Sequence, residues 1–411
     1  MKRVTLEQLP SIVSSLPARP RVVVSGNFAT PRTLLAAFDA AVPEYILHTL
    51  NAQPGLPDRE GVIYETAFVG PGMRGAERLS YVPSRLSLLP VLYRSATPPD
   101  VVLLHASAPR HDTVSLGIEV NVLPAAIEAV RERGGLVIVA SNPQMPYTYG
   151  DAQIYEHEID YIIDIDEPLS TVTATTPDAI SQQIGARIAE HIEDGSTLQL
   201  GIGSVPDAVL VALRERRGMR VWTEMFSDGI LTLDQEGCFD PEIPLTSSFL
   251  FGSRELYDFV NLNKRVHMLR TERTNDPAQI ARQPKMTSVN AALQVDLYGQ
   301  ANASRIKGRI YSGFGGSTDF IVGALHSRGG RAYMALPSWH PRAAVSTIVP
   351  LITGPVTSFQ HSAVVTEQGL ARVFGNTQRE QAYQLIEKAA HPDARAELWE
   401  AAGEMGLVRD Y

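Results

Sequence analysis

Short apolar runs that end in glycine- or proline-rich turns alternate with amphipathic stretches along this chain. Arg21–Val24, Val101–Leu104 and Leu136–Ala140 have the length and composition of buried strands. Leu123–Arg133 carries apolar residues at helical spacing and stops at Gly134. Because strands that alternate with helices are typical of layered α/β structure, the pattern predicts an α/β fold with parallel sheets.

The order strand, glycine turn and proline-initiated helix occurs twice. Arg21–Val24 leads through such a turn into a helix predicted over Pro31–Phe38. Thr197–Leu200 leads through Gly201–Val205 into a helix predicted over Pro206–Arg216. The repetition predicts two similar open α/β domains.

The boundary between these domains is predicted within Glu167–Thr176, a stretch rich in Thr, Ser and Pro. Immediately after it, Thr176 is the expected N-cap and Pro177 the first residue of a helix that runs to about Glu193. The predicted domains are therefore residues 1–172 and 173–411.

Composition narrows the class of protein. The chain has 411 residues, is 44% hydrophobic and carries a net charge of −9, with its cations dispersed. Dispersed cations argue against a nucleic-acid or anionic-membrane partner. The sequence has no apolar run near the ~20 residues of a membrane span, and Cys238 is its one cysteine. Because the first residues lack a sustained apolar stretch, we expect no signal peptide. We expect a soluble, cytoplasmic protein without disulfides.

Several catalytic motifs are missing from the sequence. It contains no G-x-S-x-G, G-x-x-x-x-G-K-[ST] or H-E-x-x-H motif and no zinc-spaced His/Cys cluster, so we expect neither these chemistries nor a metal. A nicotinamide site fits poorly, because Pro206 stands where the turn after Leu200 needs its third glycine. What remains is a turn that presents backbone N–H groups to an anion, either a phosphate or a developing oxyanion.

Two carboxylates are candidates for the reactive group. Glu224 follows a strand predicted over Met219–Trp222, at the sheet edge where α/β proteins bind ligands. Glu367 repeats the strand-Thr-Glu pattern. A second glycine turn, within Tyr311–Phe320, opens a predicted helix whose backbone could approach a ligand closely. From the residues alone, either glutamate could be the reactive one.

Seven segments together resemble the acetyl-CoA hydrolase/transferase family, in the branch that contains 4-hydroxybutyrate, butyrate and acetate CoA-transferases. The resemblance runs from Val22 to about Trp399. The segments are Ala140–Pro146, Leu198–Val209, Thr223–Gly229, Val289–Asp296, Gly313–Phe320, Val365–Gly369 and His391-Pro392.

This resemblance implies a ping-pong CoA-transferase with two CoA-transferase-type α/β domains and the active site between them. The family's nucleophilic glutamate falls on Glu224, which would form an acyl-glutamyl anhydride and then a glutamyl-CoA thioester. By similarity, Ile202 and Gly316 supply oxyanion N–H groups, and Asn275 lies near the glutamate. The residues implied to contact CoA are Gly201, Ile202, Gly203, Ser204, Val205, Leu293, Ser312, Gly315, Gly316 and, more weakly, Arg342.

Some alternatives remain open at this level. A related subfamily uses an E-x-G glutamate, a form that Glu367 has. Hydrolysis of acyl-CoA on the same scaffold, or a catalytically silent CoA-binding protein, are the competing functions. Tyr147, Tyr149 and Asp112 depart from the family pattern and leave the preferred acyl acid open. The family leads us to expect a homodimer or larger homo-oligomer, with coenzyme A and short-chain carboxylates as substrates.

Overall fold

The computed structural model describes residues 1–173, 175–201, 203–356 and 360–408, which form two compact units. The N-terminal unit consists of Met1–Ala174, Pro244–Thr274 and Tyr311–Gly315. The C-terminal unit consists of Thr175–Ile243, Asn275–Ile310 and Gly316–Tyr411. Both contain a largely parallel sheet with helices, as the alternating pattern predicted. No helix in the described ranges is long and apolar enough to cross a membrane.

The main sheet of the N-terminal unit is parallel throughout its described strands. Val102, on a central strand, pairs with Val23 on one side and Val137 on the other, and all three side chains are buried. Such runs are apolar because helices cover both faces of a parallel sheet. From edge to edge the strands are Lys2–Arg3, Tyr161–Asp164, Leu136–Asn142, Val101–Ser107, Arg21–Val24, Tyr45–His48, Val62–Thr66 and Leu79–Tyr81.

Helices and smaller strands complete this unit. The α-helices are Leu9–Val13, Arg32–Ala41, Leu89–Tyr93, Leu123–Glu132, Arg254–Val260 and Thr271–Thr274. The 3-10 helices are Leu6–Gln8, Leu86–Leu88 and Glu156–Glu158. The remaining strands are Thr113–Ser115, Tyr149–Gly150, Gln153–Tyr155, Leu245–Ser247, Phe249–Leu250 and Val266–Met268.

The main sheet of the C-terminal unit is parallel except at one edge, where Leu370–Arg372 pairs antiparallel with Ala363–Val365. Its core is apolar and includes Phe320, Met334 and Leu385. In order across the sheet, the strands are Arg220–Val221, Thr197–Leu200, Met286–Ala291, Arg331–Ala335, Ala363–Val365 and Leu370–Arg372.

The other elements of this unit are short. Its α-helices are Ala179–Ala189, Ser204–Ala212, Asp228–Gln235, Pro277–Ala281, Ser317–His326, Gln378–Gln384 and Arg395–Glu404, with a π-helical turn at Leu385–Ala389 and a 3-10 turn at Pro392–Ala394. Its small strands are Met225–Phe226, Gln294–Asp296, Ala301–Asn302, Arg305–Ile306, Arg309–Ile310, Trp339–His340, Val345–Ser346 and Ile348–Val349.

Two predicted helix starts were wrong. Asp178, rather than Thr176, is the N-cap of Ala179–Ala189, because its carboxylate accepts the Ser181 N–H at 2.8 Å. The next helix, Ser204–Ala212, begins before Pro206, since the turn places Gly203 at its N-cap position. Both helices also end earlier than predicted.

The compact units divide the chain differently from the predicted limits of 1–172 and 173–411. Pro244–Thr274 groups with the N-terminal unit, where His267 pairs with Tyr149 in a small parallel sheet. Tyr311–Gly315 also groups with the N-terminal unit, where Gly313 forms an isolated β-bridge with Phe68. Both segments join the N-terminal unit through pairing between residues far apart in sequence. Local sequence patterns do not reveal such pairing.

Candidate functional site

Glu224 lies at the carboxyl end of a strand of the C-terminal sheet. The strand Arg220–Val221 runs parallel to Thr197–Leu200, so the chain leaves both strands at the same sheet edge. Beyond the strand, the buried Thr223 hydroxyl donates to the carbonyl of Met225 at 2.9 Å and fixes the turn around Glu224. Local hydrogen bonding thus positions a half-buried carboxylate beyond the carboxyl ends of these parallel strands.

Asn275 holds this carboxylate directly. Its side-chain Nδ2 donates to Oε2 of Glu224 at 2.7 Å, and Asn275 itself is fully buried. The next residue, Asp276, caps the helix Pro277–Ala281 by accepting the Ala278 N–H at 2.9 Å. A rigid helix start therefore carries the amide that binds Glu224.

Gly316 packs against both of these groups. It is the N-cap residue of Ser317–His326 and is buried. A Cβ at this position would overlap the carboxylate of Glu224 and the amide nitrogen of Asn275. Only glycine allows the backbone to approach the carboxylate so closely.

The environment of Glu224 strongly perturbs its acidity. Burial raises the pKa of Glu224 to about 7, the Asn275 hydrogen bond lowers it, and the nearby negative charge of Asp319 raises it further. Asp319 is a buried acid in the first turn of the helix that Gly316 opens. Our sequence analysis missed Asp319, although its place in that first turn was a signal that could have found it.

The rival carboxylate, Glu367, has a different environment. Its oxygens accept hydrogen bonds from the Ser338 hydroxyl, from the Ser338 N–H at 2.9 Å and from the Gln368 amide at 3.2 Å. Partial burial pushes the pKa of Glu367 upward, but the hydrogen bonds outweigh this effect and leave it below its usual value. Glu367 is thus an ionised carboxylate that is held by hydrogen bonds from Ser338 and Gln368.

The predicted turn after Thr197–Leu200 lies beside this edge of the sheet. Gly201 donates its N–H to the carbonyl of Val289 at 3.1 Å, and Gly203 adopts a positive φ of 127°. Ser204 is exposed at the start of its helix, whereas the Val205 side chain is buried in the unit. Ile202, the predicted second N–H donor, lies outside the described residues.

The remaining predicted residues occupy other positions. Leu293 is half-buried, and its N–H binds the carbonyl of Asn302 at 2.8 Å. Ser312 and Gly315 belong to the segment of the N-terminal unit that precedes Gly316. Arg342 is exposed in the turn between the strands Trp339–His340 and Val345–Ser346. The described contacts of the C-terminal unit thus bring together Glu224, Asn275 and Gly316.

Comparison with known proteins places the chain in a family. The profile of the acetyl-CoA hydrolase/transferase C-terminal domain matches residues 252–402. A 4-hydroxybutyrate coenzyme A transferase from Clostridium kluyveri is 34% identical over 97% of this chain and 96% of the relative. The chain belongs to the acetyl-CoA hydrolase/transferase family.

Solved structures of similar proteins agree with this assignment. A 4-hydroxybutyrate CoA-transferase from Porphyromonas gingivalis superimposes with a TM-score of 0.82 at 30% identity, covering 98% of each chain. RipA from Yersinia pestis superimposes with a TM-score of 0.91 at 28% identity, covering 99% of this chain and 98% of RipA. For this member of the acetyl-CoA hydrolase/transferase family, the predicted fold class and the prediction of a CoA-transferase enzyme are confirmed.

Proposed function

We propose that this family member is an acyl-CoA:carboxylate CoA-transferase that acts on short-chain acids by a ping-pong reaction through Glu224. The observation that carries the proposal is the environment of one carboxylate. Glu224 is held by Asn275 at 2.7 Å, is contacted by the backbone of Gly316 and has its pKa raised to about 7. Partial removal from water makes a carboxylate a stronger nucleophile than a fully solvated one, since solvent then stabilises its charge less.

The first half of the proposed reaction forms two covalent intermediates. An oxygen of ionised Glu224 attacks the acyl-CoA carbonyl carbon, the C–S bond breaks, and CoA leaves as a thiolate from an acyl-glutamyl anhydride. The thiolate then attacks the glutamyl carbonyl of this anhydride. The first acid leaves as its carboxylate, and a glutamyl-CoA thioester remains on Glu224.

The second half reverses these steps with another acid. The incoming carboxylate attacks the glutamyl-CoA carbonyl and releases CoA thiolate from a new anhydride. Attack of the thiolate on the acyl carbonyl then gives the new acyl-CoA and regenerates ionised Glu224. The energy of the thioester bond is kept throughout, which is why covalent catalysis suits this exchange.

Each attack passes through a tetrahedral oxyanion that needs hydrogen-bond donors. We assign the Gly316 N–H this role because its backbone lies against Glu224 and opens a helix, whose N-terminus favours negative charge. The amide of Ile202 stays a predicted second donor. Asn275 acts by holding one carboxylate oxygen of Glu224 in place.

Intact-mass spectrometry after incubation with acetyl-CoA, without an acceptor acid, tests this assignment. We expect a CoA-sized covalent adduct on the wild type and on Glu367→Ala, and none on Glu224→Ala. An adduct that persists in Glu224→Ala and disappears in Glu367→Ala would transfer the role to Glu367. A panel of acetate, propionate, butyrate, 4-hydroxybutyrate and succinate would then identify the acceptor.

Acyl-CoA hydrolysis is a second candidate function, because the matching family profile covers hydrolases as well as transferases. The two activities differ in whether water reaches the covalent intermediates. Steady release of CoA without an adduct or acceptor would favour hydrolysis. Stoichiometric CoA binding without turnover would instead indicate the silent CoA-binding alternative. The homo-oligomeric state and cytoplasmic location also stay proposals from the family resemblance.

A further inference from the structure

The orientation of the Gly316 N–H is determined by the peptide bond that joins it to Gly315. The Gly315 carbonyl oxygen accepts the backbone N–H of Leu86 at 2.9 Å, a contact within the N-terminal unit. In a trans peptide the C=O and the following N–H point in opposite directions. The Leu86 hydrogen bond therefore turns the Gly316 N–H away from Leu86 and restrains rotation of the peptide plane.

The opposite end of the same short segment is also anchored in the N-terminal unit. The Arg74 guanidinium lies over the Tyr311 ring, 3.9 Å from its centroid, and its Nε donates to the Tyr311 carbonyl at 3.0 Å. The N–H of Val69 donates to the Ser312 carbonyl at 2.9 Å. Because both ends are held, residues 311–315 have little freedom to rotate the peptide that follows.

The Gly316 N–H itself has no protein acceptor among the residues that the structure describes, although Gly316 is buried. The carbonyl of Gly316 makes the ordinary first hydrogen bond of the helix, accepting the Phe320 N–H at 3.1 Å. Buried backbone N–H groups without an acceptor are rare in proteins. An N–H that is fixed in direction and left unused is suited to a charge that appears only during the reaction.

We propose that the backbone N–H of Leu86 is a positioning group that sets the direction of the Gly316 oxyanion donor, and that Arg74 supports it by anchoring Tyr311. This inference rests on the proposed function, since it concerns a donor for that reaction. Neither Leu86 nor Arg74 needs to touch the substrate. They act by determining where the Gly316 N–H points.

Proline at position 86 removes the donor with little disturbance of the local backbone. Leu86 is the first residue of the 3-10 helix Leu86–Leu88, a position that proline accepts well. The preceding residue, Arg85, has φ −69° and ψ 151°, the extended conformation that a residue before proline prefers. Leu86→Ala is the matched control, because it also loses the buried leucine side chain but keeps the N–H.

We expect Leu86→Pro to lower kcat roughly 10²-fold relative to Leu86→Ala, the loss typical of one missing oxyanion donor. KM for acyl-CoA should be the same in both variants, as should the pH midpoint, because Glu224 is untouched. Thermal unfolding of both variants shows whether they fold equally well. Equal kcat in the two variants would overturn the inference.

The exposed end of the segment provides a second test in which folding is less at risk, because Arg74 and Tyr311 both lie at the surface. Arg74→Ala should lower kcat about two- to fivefold, the value of an exposed cation–π contact, with KM unchanged. Arg74→Lys should recover part of this loss, and Tyr311→Phe should match the wild type. Arg254→Ala, at another exposed arginine of the same unit, is the control.

These results separate the inference from the proposed function. A wild type that transfers no CoA and forms no adduct on Glu224 would overturn the proposed function. If the wild type transfers CoA, and Leu86→Ala, Leu86→Pro and Arg74→Ala are all as active as the wild type, only the positioning role is overturned. A lower kcat with rescue by Arg74→Lys supports that role.

Discussion

Replacing Glu224 by glutamine should abolish catalysis and at the same time stabilise the protein. Glutamine keeps the shape of the side chain and an oxygen that accepts the Asn275 hydrogen bond, but it carries no charge. In the wild type, the folded structure moves the pKa of Glu224 from 4.5 to about 7, mainly through burial. At about 1.4 kcal/mol per pH unit, keeping this carboxylate ionised costs the folded state roughly 3 kcal/mol.

The sign of this effect depends on pH in a defined way. Between pH 4.5 and about 7 the folded protein retains a proton on Glu224 that the unfolded chain has released. Stability of the wild type therefore falls as pH rises through this window and then levels off. The gain of Glu224→Gln should be absent near pH 4 and reach its full value, up to ~3 kcal/mol, near pH 8.

Denaturant unfolding, followed by tryptophan fluorescence, measures the stability difference between Glu224→Gln and the wild type in the unit that contains Glu224. Trp222, Trp339 and Trp399 are the three tryptophans of the chain, and all belong to the C-terminal unit that contains Glu224. Glu367→Gln is the matched control in the same unit. Because the pKa of Glu367 is lowered in the folded state, its replacement should reduce stability above the ordinary glutamate pKa.

A stability difference for Glu224→Gln that is the same at pH 5 and pH 8 would refute the reasoning, as would a loss of stability at pH 8. Either result would mean that burial does not penalise the ionised carboxylate. The stability gain that we expect for Glu224→Gln follows a general relation between function and stability. A functional site often holds a group in a state that lowers the stability of the folded protein.

The remaining predictions concern the same site. First, kcat/KM for acyl-CoA should rise with pH and level off above about 7, because the proposed attack requires Glu224 to be ionised. A pH–rate profile measures this midpoint. Second, Asn275→Ala should move that midpoint to higher pH and slow adduct formation ~10-fold or more, since a hydrogen bond to a charged group is lost; an unchanged midpoint would contradict this. Third, Gly316→Ala should prevent adduct formation in the mass assay, because its Cβ would displace the Glu224 carboxylate. Gly354→Ala, where a Cβ would meet open space, should retain the adduct.

Local patterns in the sequence predicted much of the layering. The runs at Arg21–Val24, Val101–Leu104 and Leu136–Ala140 all lie in the parallel sheet, because buried parallel strands are apolar on both faces. Helix starts were less accurate. Both Asp178 and Thr176 are residue types that favour an N-cap, and only the folded backbone shows which one accepts the N–H.

The candidate site was predictable in part, and the reasons differ by residue. Glu224 stood out because it follows a strand at a sheet edge, and the turn that contains Gly316 stood out because it opens a helix. Asn275 came from the family resemblance, since a lone asparagine has no local signature. The family resemblance already favoured Glu224 over Glu367. The tertiary contacts add a physical difference between them, because burial raises the pKa of Glu224 and hydrogen bonds lower that of Glu367.

The discontinuous N-terminal unit has a consequence for biosynthesis. Its last segment, Tyr311–Gly315, is made long after the parallel strands that end at Asp164. During translation, more than a third of the chain is made between Asp164 and Tyr311. The Leu86 N–H can bind the Gly315 carbonyl only after that stretch has been made. The order of synthesis thus makes the Gly315 peptide the last part of the N-terminal unit to be fixed, before three strands of the C-terminal sheet have been made.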